Sequence, residues 1–178
     1  MMKKIKNLAL LSLAFVAISL SSCKKNNATP DKKAPDTTST FVATVDGVVT
    51  EFNVNLKGWE SSTTPNHWLT VIQGKTSDGT TLAISILETA TAGKTYSDAD
   101  SNDSNRPIII YQKPTSTVQY YNDHYASNVP SVTITSVTST TLDGTVKGRL
   151  IKDPATDKAD TVLITDGKFH ISNFVQKP

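Results

Sequence analysis

From residue 41 onward, apolar and polar positions alternate with a period of two, and Thr, Val and Ile are abundant. That period belongs to β-strands with one buried face, and no stretch shows the 3.6-residue spacing of an amphipathic helix. Asp-Gly occurs at 46–47, 78–79, 143–144 and 166–167, and such pairs tolerate the positive φ of tight hairpin turns. In FVATVDGVVTEF a turn at Asp46-Gly47 pairs Val45 with Val48, Ala43 with Thr50 and Phe41 with Phe52, which puts the apolar set on one face. In VLITDGKFHI a turn at Asp166-Gly167 would pair Ile164 with Phe169 and Val162 with Ile171. Around Asp78-Gly79 a three-residue loop with Gly79 in a bulge pairs Ile72 with Ile84, whereas a two-residue loop would set Ile72 against Ser85. Further strands are predicted over 67–76, 80–88, 107–113, 118–125, 131–138 and 145–152, with longer loops near 57–66 and 97–106. Without helices to cover it, such a sheet must pack on a second sheet or curl on itself. The pattern therefore predicts an all-β domain over 41–178, an antiparallel β-sandwich built from hairpins, with a partly open meander barrel as the alternative.

Before residue 41 the pattern changes. Lys3, Lys4 and Lys6 precede an apolar run at 8–20 that is interrupted only by Ser12 and Ser19. A basic head and a short apolar run make a secretory signal peptide over 1–22. The run is shorter than the roughly 20 residues a membrane-spanning helix needs. Leu20-Ser21-Ser22-Cys23 then resembles the lipobox of bacterial lipoproteins, and Cys23 is the only cysteine in the chain. The resemblance implies that the Cys23 thiol receives a diacylglycerol and that the new amino group is acylated after cleavage. One acyl chain anchors only marginally, whereas three hold a protein on a membrane. With Cys23 modified, the mature chain has no thiol for a disulfide.

Charge modifies this picture little. The chain carries 18 basic and 16 acidic residues, a formal +2. Removal of the three signal lysines leaves 15 against 16, so no basic patch points to nucleic acid as a partner. Residues 24–40, KKNNATPDKKAPDTTST, contain two prolines and no large apolar residue. They cannot bury enough surface to fold, and together with Cys23 they read as a disordered tether over 23–40.

FVATVDGVVTEF, SVTITSV followed by GTVKGRL, and the ending ITDGKFHISNF together resemble a family of small Bacteroidota lipoproteins with a single β-domain. The resemblance implies export, an outer-membrane lipoprotein facing the periplasm or the cell surface, and no assigned activity to carry over. Asp36-Thr37-Thr38 also resembles the short O-glycosylation acceptor pattern of that phylum, which marks Thr37 as a candidate glycosylation site.

Candidate chemistry is sparse. His67, His124 and His170 lack zinc-pair spacing, and the chain has no G-x-S-x-G elbow. No metal, no cofactor and no catalytic residue is expected, and the protein reads as a non-enzyme. In SDADSNDSN, Asp98, Asp100 and Asn102 occupy positions 1, 3 and 5 of a calcium loop, but Asp103 stands where Gly is needed and Ile109 where Glu is needed. An EF-hand is excluded, and a looser oxygen cage stays open. The most distinctive stretch is YYNDHY at 120–125. Tyr120, Tyr121 and Tyr125 with Asp123 form the candidate ligand site, because aromatic faces beside amides and carboxylates suit a glycan or a protein ligand. On a strand Tyr121, Asp123 and Tyr125 share one face and Tyr120 and Asn122 the other, so at least one face should be wet. The function expected is a non-catalytic binding or accessory module, attached to a membrane through its lipid. The alternatives are a purely structural envelope protein and a hydrolase.

Overall fold

The computed structural model describes residues 38–64, 67–124, 127–152 and 160–176. The signal peptide at 1–22, Cys23, most of the tether with Thr37, and Tyr125 lie outside the described residues. The strands are β1 (Thr40–Val45), β2 (Val48–Glu51), β3 (Val54–Thr64), β4 (His67–Lys75), β5 (Thr81–Ile86), β6 (Thr95–Ser97), β7 (Pro107–Gln112), β8 (Gln119–Asn122), β9 (Ser131–Val137), β10 (Leu142–Lys152) and β11 (Thr161–Ile171). A single 3-10 turn at Asp103–Asn105 is the helical element among the described residues.

All the pairings between named strands are antiparallel, and they form one sheet in the order β2-β1-β11-β10-β8-β7-β5-β4-β3. A branch leaves this path where β9 pairs with β10 and β6 pairs with β9. The sheet curls into an open, meander-like half-barrel, so the expected sandwich of two facing sheets gives way to the alternative architecture. A long, right-twisted sheet can bury one face against itself without a second layer. Its inward positions supply the core: Phe41, Phe52, Ile72, Leu82, Ile84, Ile109, Ile134, Leu142 and Leu150 are all fully buried. Near the end of the chain, Trp59 and Val175 form a parallel bridge, and the Glu60 N–H donates to the Val175 carbonyl at 2.9 Å.

Two of the turn assignments hold. Val45 pairs with Val48 and Ala43 with Thr50 around Asp46-Gly47, whose φ angles of 49° and 83° are those a two-residue hairpin requires. Ile72 pairs with Ile84, and the Thr76 N–H donates to the Thr80 carbonyl across the three-residue loop. The other two Asp-Gly pairs are not turns. Asp143-Gly144 lies inside β10, where Gly144 faces Phe169. Asp166-Gly167 lies inside β11, where it forms a bulge. Between the pairs Val42–Lys168 and Thr44–Thr165, β11 has two residues and β1 has one. The extra residue changes which side chains point inward: Val162 and Ile164 are buried before it, and Phe169 and Ile171 after it. Ile164 and Phe169 therefore share the core face, as the hairpin reading required, but their partners are Val45 and Phe41 rather than each other. The loop expected near 57–66 is also a correction, because β3 runs through to Thr64 and pairs with β4.

Candidate functional site

The site lies where the sheet branches. The first half of β10 pairs with β9 through Lys147–Ser131, and its end pairs with β8 from Leu150–Asn122 onward. Gly148 sits between the halves at φ +145°, and a Cβ there would come within 2.3 Å of the Pro130 Cα. Glycine thus lets the chain fold tightly against the start of β9.

On the other side of the fork, β7 and β8 pair only at Tyr111–Tyr120 and Gln112–Gln119. The two strands then separate, and the Asn122 side chain takes over the ladder. Its Oδ1 accepts the Ile109 N–H at 2.9 Å, and its Nδ2 donates to the Pro107 carbonyl at 2.6 Å. An amide side chain carries the same donor and acceptor as a peptide group, so it can stand in for a missing strand. Nδ2 also donates to Asp98 Oδ1 at 3.3 Å. Asp98 Oδ2 in turn accepts the Nδ1–H of His124 at 2.5 Å. The Asp98 side chain is 1% exposed and that of His124 61%. A buried carboxylate thus fixes the ring of a largely exposed histidine, the arrangement that sets a tautomer. Beside it Asp123 is also buried, and both Nε and Nη2 of Arg149 donate to its Oδ2, at 2.8 and 2.7 Å.

These groups border a cavity of about 280 Å³. Its apolar walls are Leu87, Pro107, Ile108 and Tyr121, and Asp98, Asp103, Arg106, Asn122 and His124 complete the lining. Leu87 and Ile108, 42% and 40% exposed, present hydrocarbon to it. Arg106 is held from two sides, with Nε donating to the Asp100 carbonyl at 2.7 Å and Nη1 3.2 Å from Asp103 Oδ1. The Asp100 carboxyl lies below its ordinary range, chiefly because the Asn102 backbone N–H donates to it.

Of the residues singled out in the sequence, Tyr121 lines the cavity and its hydroxyl donates to Gln119 Oε1. Tyr120 points into the core, packs edge-on to Tyr111, and donates to Asp160 Oδ1 at 2.9 Å. Asn122 shares the Tyr120 face and is buried with it, while Asp123 lies just past the end of β8, where it is paired with Arg149, the residue two before the Tyr121 partner Ile151 on β10. In the 97–106 loop Asp98 turns inward to Asn122 and His124, away from an oxygen cage. Among the described residues no three His, Cys, Asp or Glu side chains cluster as metal ligands. His170 Nδ1 donates to Asp143 Oδ1 at 2.6 Å across β10 and β11, and the His67 side chain lies outside the described residues.

SDADSNDSN and YYNDHY are thus joined through the Asp98–His124 bond. Leu87, Arg106, Ile108 and Arg149 carried no signal in the sequence, because only the curl of the sheet brings them to the fork. No protein-family model, no curated protein and no solved structure matches the chain.

Proposed function

We propose that this is an exported, lipid-anchored protein of the cell envelope whose β-domain is a non-catalytic binding module, with the fork cavity as its ligand site. The observation that carries the reading is an apolar-walled cavity whose polar groups are fixed from behind. Binding sites combine apolar walls with a few convergent polar groups in this way. Among the described side chains the lining has the His124–Asp98 pair but no Ser, Thr or Cys to act as a nucleophile beside it, which favours binding over acyl transfer. Lys3, Lys4, Lys6, the apolar run at 8–20 and the Leu20–Cys23 motif support the lipid anchor, and resemblance to Bacteroidota lipoproteins supports the outer membrane.

A second reading, a structural envelope lipoprotein, draws on the internal use of Asn122 and Asp98, whose bonds hold the fork together. The two readings divide on Tyr121→Ala and Leu87→Ala. In a binding module these substitutions leave the fold intact and abolish ligand capture; in a structural protein they change nothing measurable. The anchor has its own test. Wild type takes up labelled palmitate and partitions with membranes, and Cys23→Ser does neither. A soluble, unlabelled wild type contradicts the anchor.

A further inference from the structure

We infer that the fork cavity recognises an apolar group bearing a carboxylate. This inference rests on the binding reading above and names its ligand class. It comes from asking which polar atoms around the cavity are already used. Asn122 spends its Oδ1 on Ile109 and its Nδ2 on Pro107 and Asp98. Asp98 receives Asn122 on one oxygen and His124 on the other. The buried carboxylate and amide groups of the cavity are therefore already engaged with one another and with the backbone.

One donor is left. Arg106 Nη2 has no hydrogen-bond partner among the described residues. The Arg106 side chain is held through Nε by the Asp100 carbonyl. Donors held in this way lose little freedom when a ligand arrives. A guanidinium gives its strongest and most directional hydrogen bonds to a carboxylate. Asp103 is the competing anion, but its side chain is 87% exposed, and a pair so exposed is weak.

The walls set the rest of the ligand. Leu87, Pro107, Ile108 and Tyr121 offer hydrocarbon and one ring. About 280 Å³ lies at the small end of ligand cavities, enough for one aromatic or branched aliphatic group. Two sources share that chemistry, a free aryl- or alkyl-carboxylic acid and the C-terminal residue of a protein chain.

The test is calorimetric titration of the full-length protein in detergent with 3-phenylpropionate, with 3-phenylpropanamide, and with a peptide ending in Phe as free acid and as C-terminal amide. Each is repeated on Arg106→Gln, with Tyr121→Ala as a second variant that removes a wall and keeps the charge. The expected result is that acids bind at least about tenfold more tightly than amides, that Arg106→Gln abolishes this preference, and that Tyr121→Ala weakens acid and amide alike. A peptide acid tighter than 3-phenylpropionate assigns the site to a chain terminus, and equal affinities assign it to a free acid. Acid and amide binding equally, with loss in Tyr121→Ala, overturns the carboxylate inference and leaves the binding reading standing. Binding of none of the four overturns both.

Discussion

Asn122 is the residue on which the site's geometry depends. Its amide satisfies the Ile109 N–H and the Pro107 carbonyl where β8 no longer reaches β7. Asn122→Leu would leave both backbone groups buried without a partner, and each such loss costs about 1–3 kcal/mol. We expect urea unfolding of Asn122→Leu to show a total loss of about 2–6 kcal/mol; a change below about 0.5 kcal/mol would place the amide outside the ladder. Tyr96 makes a second prediction. Burial, followed by the nearby Glu88 carboxylate, pushes its phenol up to about 12 from an ordinary 10.0. A raised folded-state value means that the fold favours the neutral phenol. Its stabilisation is complete below pH 10 and is lost as pH rises toward 12. Ultraviolet titration should show a late step near pH 12 that Tyr96→Phe loses; loss of no late step in that variant would contradict the burial of Tyr96. At this scale the sequence was partly legible. The cluster Asn122-Asp123-His124 stood out, but the tyrosines beside it drew the functional reading, because a sequence does not show that Asn122 replaces a strand or that Asp98 reaches His124.

Among the elements, β11 is the most informative. Its bulge at Asp166-Gly167 lets Ile164 and Phe169 face the same core although they are five positions apart. A turn and a bulge use the same residue types and restore the same parity, so the sequence separated buried from exposed positions correctly while assigning the wrong partners. The strands with alternating patterns, β4, β5, β7, β9 and β10, were legible for the same reason. β6 is three residues long and β3 mixes polar and apolar positions, so neither gave a periodic signal. Three changes test the bulge and its packing. Phe169→Ala should cost about 3–5 kcal/mol, as for other buried phenylalanines. Deletion of Asp166 removes the extra residue and turns one half of β11 inside out, so it should prevent cooperative folding. A hairpin at 166–167 predicts the opposite for Gly144→Ala, which would then be tolerated. In the observed sheet a Cβ there would lie 2.3 Å from Phe169 Cζ and 2.5 Å from the Thr133 carbonyl oxygen, so we expect a clear loss of stability on thermal unfolding.

For the whole molecule, a single curled sheet with its core inside leaves the outer face and the branch to carry function. The described outer surface also has a second concavity of about 530 Å³, lined largely by hydroxyl and amide groups such as Thr95, Ser97, Asn128, Ser131 and Thr133 together with Lys147. Val129, Leu163 and Ile164 also line it, but among the described residues it has no aromatic side chain, and hydroxyl and amide groups make up more of its lining than at the fork, which is why the ligand site is assigned to the fork. Fold class could be read from periodicity because most of the strands repeat the same two-residue rule. The choice between sandwich and half-barrel could not, since it depends on which strands pair across 100 or more residues, as β1 and β11 do. The measurement that tests the central claim most directly is a fragment screen on the full-length protein, read by amide and methyl chemical-shift changes. The account predicts that apolar fragments perturb Leu87, Ile108, Tyr121 and His124 together and that Tyr121→Ala removes the response. Fragments gathering instead along Ser131, Thr133 and Lys147, or perturbing no cluster at all, would contradict it.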